Sequence, residues 1–162
     1  SATAKHLSVL CNQMVNFLGI MQNEWAGAQA FSSFDTYLAP FVKVDNLDYP
    51  EVKKCIESFV YGVNTPSRWG TQAPFSNITL DWTVPADLAE LPAIVGGKPQ
   101  DFCYKDCKKE MDMINRAFIE TMIEGDVKIY SEREIKKLLS ANFRNISWKK
   151  LNTTSSIVTA QK

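Results

Sequence analysis

Asn23-Glu-Trp-Ala-Gly-Ala-Gln-Ala-Phe-Ser-Ser-Phe-Asp-Thr-Tyr-Leu-Ala-Pro-Phe41 joins three kinds of segment in one short stretch. Its middle, Trp25 to Ser32, is dominated by small residues. Such composition occurs where a backbone packs tightly against another element or a ligand, and the segment reads as a helix end or a short buried strand. On the N-terminal side, Leu7, Leu10, Val15, Phe17, Leu18 and Met21 recur broadly at helical spacing. With no proline and one glycine, Gly19, the pattern predicts a long amphipathic helix over Thr3–Glu24. On the C-terminal side, Asp35 to Val42 is apolar and short and ends near Pro40. Asp48 to Val63 is helical again, with Tyr49-Pro50 at the start, where proline's missing N–H would be unpaired anyway.

Beyond a loop over Asn64–Pro74, Phe75, Asn77, Thr79 and Asp81 alternate with Ser76, Ile78, Leu80 and Trp82. That period predicts a strand over Phe75–Trp82 with one polar and one apolar face. Pro85 to Pro99 reads as a turn-rich connector. Its Gly96-Gly97 pair is a flexible turn rather than a phosphate cradle, because neither GxxxxGK[ST] nor GxGxxG is present. Tyr104 to Glu124 is a second strong helix with Met111, Ile114, Phe118 and Met122 on one face, and Met111, Met113 and Met122 are assigned to the core. Ser131-Glu-Arg-Glu134 is a capping box that starts a short helix to about Ser140. Arg144, Lys149 and Lys150 then surround Trp148. Such a cluster can bind single-stranded nucleic acid by charge and stacking, but the stretch reads as a loosely folded tail. The class predicted is α+β, predominantly helical.

A chain of 162 residues and 18.3 kDa holds one domain with a real core, and 45% hydrophobic with 22% charged residues is ordinary globular composition. The 18 Lys+Arg and 18 Asp+Glu cancel, which argues against a polyanion binder. The balance is uneven along the chain: up to Asp126 there are 10 basic and 16 acidic residues, a net of −6, and beyond it 8 and 2, a net of +6. The chain starts at Ser1 without an initiator Met and is in a helical pattern by Leu7, so it reads as a piece of something longer. No run of about 18 apolar residues and no basic-then-apolar leader is present, so no membrane span or signal peptide is predicted and a cytoplasmic location is expected. Cys103-Tyr-Lys-Asp-Cys107 would place two thiols on one helical face. A four-ligand zinc site needs more, and His6, the sole histidine, lies far off in sequence, so Cys11, Cys55, Cys103 and Cys107 are read as reduced and structural, with no metal site. The glycosylation patterns at Asn77, Asn145 and Asn152 are taken as chance matches.

The opening stretch acquires a family likeness when set beside Ser67-Arg-Trp-Gly-Thr-Gln-Ala-Pro-Phe-Ser-Asn-Ile-Thr-Leu-Asp-Trp82, Lys109-Glu-Met-Asp-Met-Ile-Asn115 and Ile123-Glu-Gly-Asp126. Together, over roughly Ala4 to Asp126, they closely resemble anaerobic (class III) ribonucleoside-triphosphate reductases. The resemblance implies a fragment of a ten-stranded α/β barrel of the glycyl-radical type, in an enzyme that reduces ribonucleoside triphosphates to deoxyribonucleotides. It implies a C-terminal glycyl radical, installed by an iron–sulfur activase with S-adenosylmethionine, that generates a thiyl radical on a loop cysteine, and formate or a thiol system as reductant. The partners implied are the remaining portions of the reductase, the activase, ribonucleoside triphosphates, deoxynucleotide effectors and a second copy in a homodimer. Neither nucleic acid nor membrane is among them, and no cofactor is assigned to the fragment itself.

Within that resemblance, small residues at Ala26, Gly27, Ala28 and Ala30 would let backbone approach a triphosphate. Gln29, Ser32, Gln72 and Asn77 are the substrate-binding candidates, polar groups able to orient ribose or phosphate without adding charge. The same side chains can equally serve to satisfy barrel backbone. No catalytic residue is assigned: an Arg-Val-x-Gly-Tyr-type radical loop is missing, none of the cysteines sits in a thiyl motif, and Gly125 belongs to a helix end. The expected organisation is a partial barrel domain over 1–126 and an unrelated basic tail with one short helix over 127–162. Such a piece is expected to be inactive alone. The alternatives are a nucleotide-effector or dimerisation module built on the helices Thr3–Glu24 and Tyr104–Glu124, and a non-functional truncated remnant.

Overall fold

A computed structural model describes residues 2–25, 27–65, 76–124, 146–151 and 155–160. The chain folds as two units, Ser1–Phe118 and Ile119–Lys162. The result is a mostly helical α+β chain with small sheets.

In the first unit, helix α1 spans Leu7–Glu24, starting four residues inside the predicted span, with His6 extended ahead of it. Leu7, Cys11, Met14, Val15 and Leu18 are buried at the spacing that puts them on one face. The His6 imidazole Nδ1 lies 2.9 Å from Asp45 Oδ2, which ties the start of α1 to the end of the next helix. Helix α2 spans Phe34–Val44 and α3 spans Tyr49–Asn64. Pro40 lies inside α2 rather than ending it. Ring closure there removes one backbone N–H, and the helix survives because Phe34, Leu38, Ala39, Phe41 and Val42 are all buried against the unit.

Asp48 closes a capping box at the start of α3: Glu51 N donates to Asp48 Oδ1 at 3.0 Å, and Asp48 N donates to Glu51 Oε2 at 3.1 Å. Asp48→Ala is expected to cost about 1 kcal/mol in urea unfolding, the usual value of a lost N-cap. A cost below a few tenths would mean that packing alone holds this turn. Val52, Ile56 and Phe59 then face α1 and the core. Helices α1 and α3 approach closely at Gly62, where an added Cβ would lie 3.0 Å from Val15 Cγ2.

Strand β1, Gln29–Phe31, pairs in parallel with β2, Ser76–Ile78, in the register Gln29↔Ser76, Ala30↔Asn77 and Phe31↔Ile78. The connection between them carries α2 and α3, a crossover of the kind that parallel pairing requires. Strand β2 is shorter than the alternation predicts. Thr79 N still donates to Phe31 O and Phe34 N to Thr79 O, each at 2.9 Å, but the next amides leave the ladder for a side chain described below.

The predicted connector over Pro85–Pro99 instead forms a short helix, α4 (Ala86–Ala89), and a hairpin of β3 (Pro92–Val95) and β4 (Lys98–Cys103). Gly96 and Gly97 have φ of 62° and 74°, the paired positive values that a two-residue hairpin turn demands. Glycine adopts them without a Cβ penalty, so the pair is a turn that fixes strand register. A 3-10 turn, Tyr104–Cys107, leads into α5, Lys108–Glu124. Met111 and Ile114 are fully buried, while Met113 is only half-buried. The core centres on Leu7, Leu18, Phe34, Val52, Ile56 and Met111.

In the second unit, β5 (Ile146–Leu151) and β6 (Ser155–Ala160) form an antiparallel pair from Ile146↔Ala160 to Leu151↔Ser155. This differs from the loosely folded tail expected there. The β-branched content of Ile157-Val158-Thr159 favours extended backbone, and pairing of two strands close in sequence needs no helical or alternating apolar period. The predicted helix over Ser131–Ser140 lies outside the described residues. Among the described residues, no helix is long and apolar enough to cross a membrane.

Candidate functional site

Three of the stretches that carry the family likeness meet at one buried carboxylate. Asp35, in the first turn of α2, is fully buried, and its two oxygens take four donors. Oδ1 accepts from Thr36 N at 3.0 Å and from Asp81 N at 2.9 Å. Oδ2 accepts from Trp82 N and from Asn115 Nδ2, each at 2.9 Å. This uses every acceptor position that a carboxylate has. The Thr36 hydroxyl donates in turn to Asp81 Oδ2 at 2.6 Å. Thr36, Asp81 and Asn115 are themselves buried. The dipole of α2 adds its positive end to the same anion.

This network explains where β2 ends. The amides of Asp81 and Trp82 turn inward to Asp35 instead of continuing along β1. Trp82 adopts φ of +64°, a left-handed conformation that a bulky side chain takes at a cost of order 1–3 kcal/mol. Charge-assisted hydrogen bonds of about 1.5–3 kcal/mol each offset that cost. Two polar atoms beside the network have no partner among the described residues: Trp82 Nε1 and Asn115 Oδ1.

The four predicted binding residues do not converge as a set. In a parallel pair, residues opposite one another share a face, and faces alternate along each strand. Gln29 therefore sits with Ser76, Phe31 and Ile78, while Asn77 sits with Ala30 on the other face. The Phe31 ring lies 6.2 Å from that of Phe17, so α1 covers the Gln29 face. Ala30 and Asn77 are exposed, as is Ser32 just past the strand. Gln72 lies outside the described residues, as does Ala26. Sequence reasoning missed Asp35, Thr36, Asp81 and Asn115. The available signal was a charged residue inside an apolar run, Phe34-Asp-Thr-Tyr-Leu and Ile78-Thr-Leu-Asp-Trp82, which marks a buried, paired acid.

Two surface grooves lie elsewhere. One, of about 520 Å³, is lined by Val42, Asn46, Tyr49, Lys109, Asp112 and Arg116, with the Arg116 guanidinium 4.4 Å from the Tyr49 ring centre. The other, of about 380 Å³, is lined by residues including His6, Asn12, Glu51 and Lys54. Among the described residues, neither is lined by β1 or β2.

Among the described residues, no three His, Cys, Asp or Glu side chains come together as ligands. Cys103 Sγ donates to Glu90 O at 3.4 Å and Cys107 Sγ to Cys103 O at 3.7 Å, so the two thiols serve backbone carbonyls. Burial pushes the Cys11 thiol up to about 12, with the neighbouring Cys55 adding to the shift, and burial raises Cys107 to about 11. A thiol raised in the folded state stays neutral while the unfolded thiol ionises near its ordinary value of 9. Stability is therefore full below pH 9 and falls from there toward pH 12, by about 1.4 kcal/mol per pH unit for Cys11. Urea titrations at pH 8 and 10 measure the slope, and Cys11→Ser should make it shallower while leaving the contribution of Cys107; an unchanged slope in that variant would assign the pH dependence to other groups.

A family model described as anaerobic ribonucleoside-triphosphate reductase matches residues 1–151. The match runs past Asp126, where the motifs of the sequence end, into the residues read as a tail. Crystal structures of the anaerobic ribonucleotide reductase from Thermotoga maritima share the fold. The one with citrate in the active site is 22% identical at a TM-score of 0.58, over 75% of this chain and 22% of that one. The one with dATP bound in the specificity site is 21% identical at 0.56, over the same shares. The complex with dATP and CTP is 20% identical at 0.57, over 78% and 22%. This chain thus spans about a fifth of the length of those structures. No curated protein matches it in sequence. The family match covers nearly the whole chain, including all three stretches that meet at Asp35, and the chain belongs to the anaerobic ribonucleoside-triphosphate reductase family.

Proposed function

We propose that this chain is a section of the barrel of an anaerobic ribonucleoside-triphosphate reductase, and that the Ala30–Asn77 face of β1 and β2 lines the nucleotide pocket. The observation that carries the reading is the parallel register Ala30↔Asn77, which sets a small residue and an amide side by side on a face that no described helix covers. Ala30 leaves room for a ribose. The Asn77 amide can donate to one hydroxyl and accept from another without adding charge. Ser32, exposed at the end of β1, is placed to serve phosphate oxygens. Gln29 is assigned to holding the strand pair against α1. The dATP and CTP bound in the Thermotoga maritima structures support nucleotides as the partners of this chain.

The radical chemistry belongs to the rest of the reductase. A glycyl radical installed by an iron–sulfur activase and a cysteine outside this section supply hydrogen abstraction, while the residues here bind and orient the substrate. The remaining barrel, the activase and a second copy are the macromolecular partners, in the cytoplasm. The test is to combine the chain with the missing portions and the activase under anaerobic conditions and to measure deoxyribonucleotide formation. Product is expected, and Asn77→Ala should lower kcat/KM by about tenfold, the value of one or two lost hydrogen bonds to substrate. No product from folded, assembled components would overturn the reading.

A further inference from the structure

We infer that Asp35 is a positioning residue whose carboxylate fixes the left-handed turn at Trp82 and, through it, the register that sets Asn77 beside Ala30. The inference rests on the reading of that face as part of the nucleotide pocket. Its geometry is independent of that reading.

The strand pair has little to hold it by itself. Each strand has three residues, and parallel ladders are the weaker kind. A slip of one residue would move Asn77 to the α1-covered face and Ile78 to the open one. What prevents the slip is the set of bonds just beyond the strands. Thr79 N to Phe31 O and Phe34 N to Thr79 O join β2 to the β1–α2 turn. Asp35, the next residue along α2, then grips the amides of Asp81 and Trp82, 46 and 47 residues away in sequence. The conformation at Trp82 is one that the residue would not take alone, so the acceptor beneath it selects it. Asp35 touches no open surface, being fully buried, and acts on the site only through the turn.

Asp35→Asn separates this role from general stability. The amide is isosteric but has one acceptor oxygen and one NH₂. If the oxygen keeps the place of Oδ1, the NH₂ lands where Trp82 N and Asn115 Nδ2 now donate. Asn115 can rotate to present its free Oδ1 to that NH₂. Trp82 N has no such recourse. Amide hydrogen exchange on the chain should therefore show the Trp82 amide at least tenfold faster in D35N, with the Thr79 amide following it. The amides of Ile56 and Phe59 in α3 should accelerate by no more than the global loss of stability of D35N, measured by urea unfolding, accounts for. A uniform rise across α3 and the turn, or no rise at Trp82, overturns the inference.

Should D35N fail to fold, the same question is answered in the unaltered chain. The amides of Thr36, Asp81, Trp82 and Thr79 should open together, at one rate distinct from that of α3, and separate openings overturn the inference. In the assembled reductase, D35N should lower kcat about tenfold with KM within threefold, because a misplaced face still meets substrate but holds it wrongly. Equal activity of D35N and the unaltered protein also overturns it. Absence of activity in the unaltered assembly counts against the functional reading alone, and the exchange measurements still decide the role of Asp35.

Discussion

Replacing Asp35 by alanine is expected to destabilise the first unit by about 3–5 kcal/mol. The substitution removes one acceptor group and strands four donors: the amides of Thr36, Asp81 and Trp82 and the side chain of Asn115. A buried donor left without a partner costs roughly 1–3 kcal/mol, and water entering the vacated space recovers part of it. The strain at Trp82 then has nothing to offset it, so the turn should relax and shorten the cost toward the lower bound. Asp81→Ala is the control. Among the described residues it leaves only the Thr36 hydroxyl unpaired, and about 1–2 kcal/mol is expected. Urea unfolding followed by far-UV circular dichroism measures both. Equal losses for the two variants would show that the cluster works as a diffuse polar patch, with no central acceptor.

Phe34→Ala should cost a similar amount, about 3–5 kcal/mol, for a different reason. Phe34 is 1% exposed, and its ring lies 5.2 Å from that of Phe59 on α3 and 6.4 Å from that of Phe118 on α5. It is the apolar counterpart of its neighbour Asp35: one residue fills the junction of three helices and the next satisfies its amides. Truncation leaves a cavity lined by aromatic edges that cannot close without moving helices. Phe34→Leu keeps most of the volume and should cost less than half as much. A loss below 1 kcal/mol for the alanine variant would mean that the helices collapse freely onto the gap. The two positions are adjacent and share surroundings, so their effects should not add.

The parts of the fold that were legible in sequence are those with a local period. Helices α1, α3 and α5 each bury residues at three- and four-residue steps, and the Asp48–Pro50 start of α3 carries its own signal. The turn at Gly96-Gly97 is legible as a turn, but the strands that it joins, Pro92–Val95 and Lys98–Cys103, are short and carry no apolar period that marks them as a hairpin. Strands β1 and β2 have three residues each, too few for alternation to fix their ends. The site was legible only as motifs. Gln29 and Asn77 are both legible as polar groups within the motifs, yet their opposite faces follow from the inter-strand register, which no single segment encodes. Asp35 is the extreme case. Its partners lie as far as 80 residues along the chain, so its meaning depends on the fold being complete.

The two-helix crossover between β1 and β2 has a consequence for how the molecule comes into being. Helices α2 and α3 are consecutive and close a short turn, whereas the strand pair joins residues separated by the whole of that helical insert. Loop-closure entropy makes such a distant contact slow to form, and it is rewarded only once the helices have shortened the path between its ends. The face that holds Asn77 is therefore assembled late, when α2 is already in place to offer Asp35 as its latch. During synthesis, the residues of β1 must wait for a strand partner made well after they have emerged.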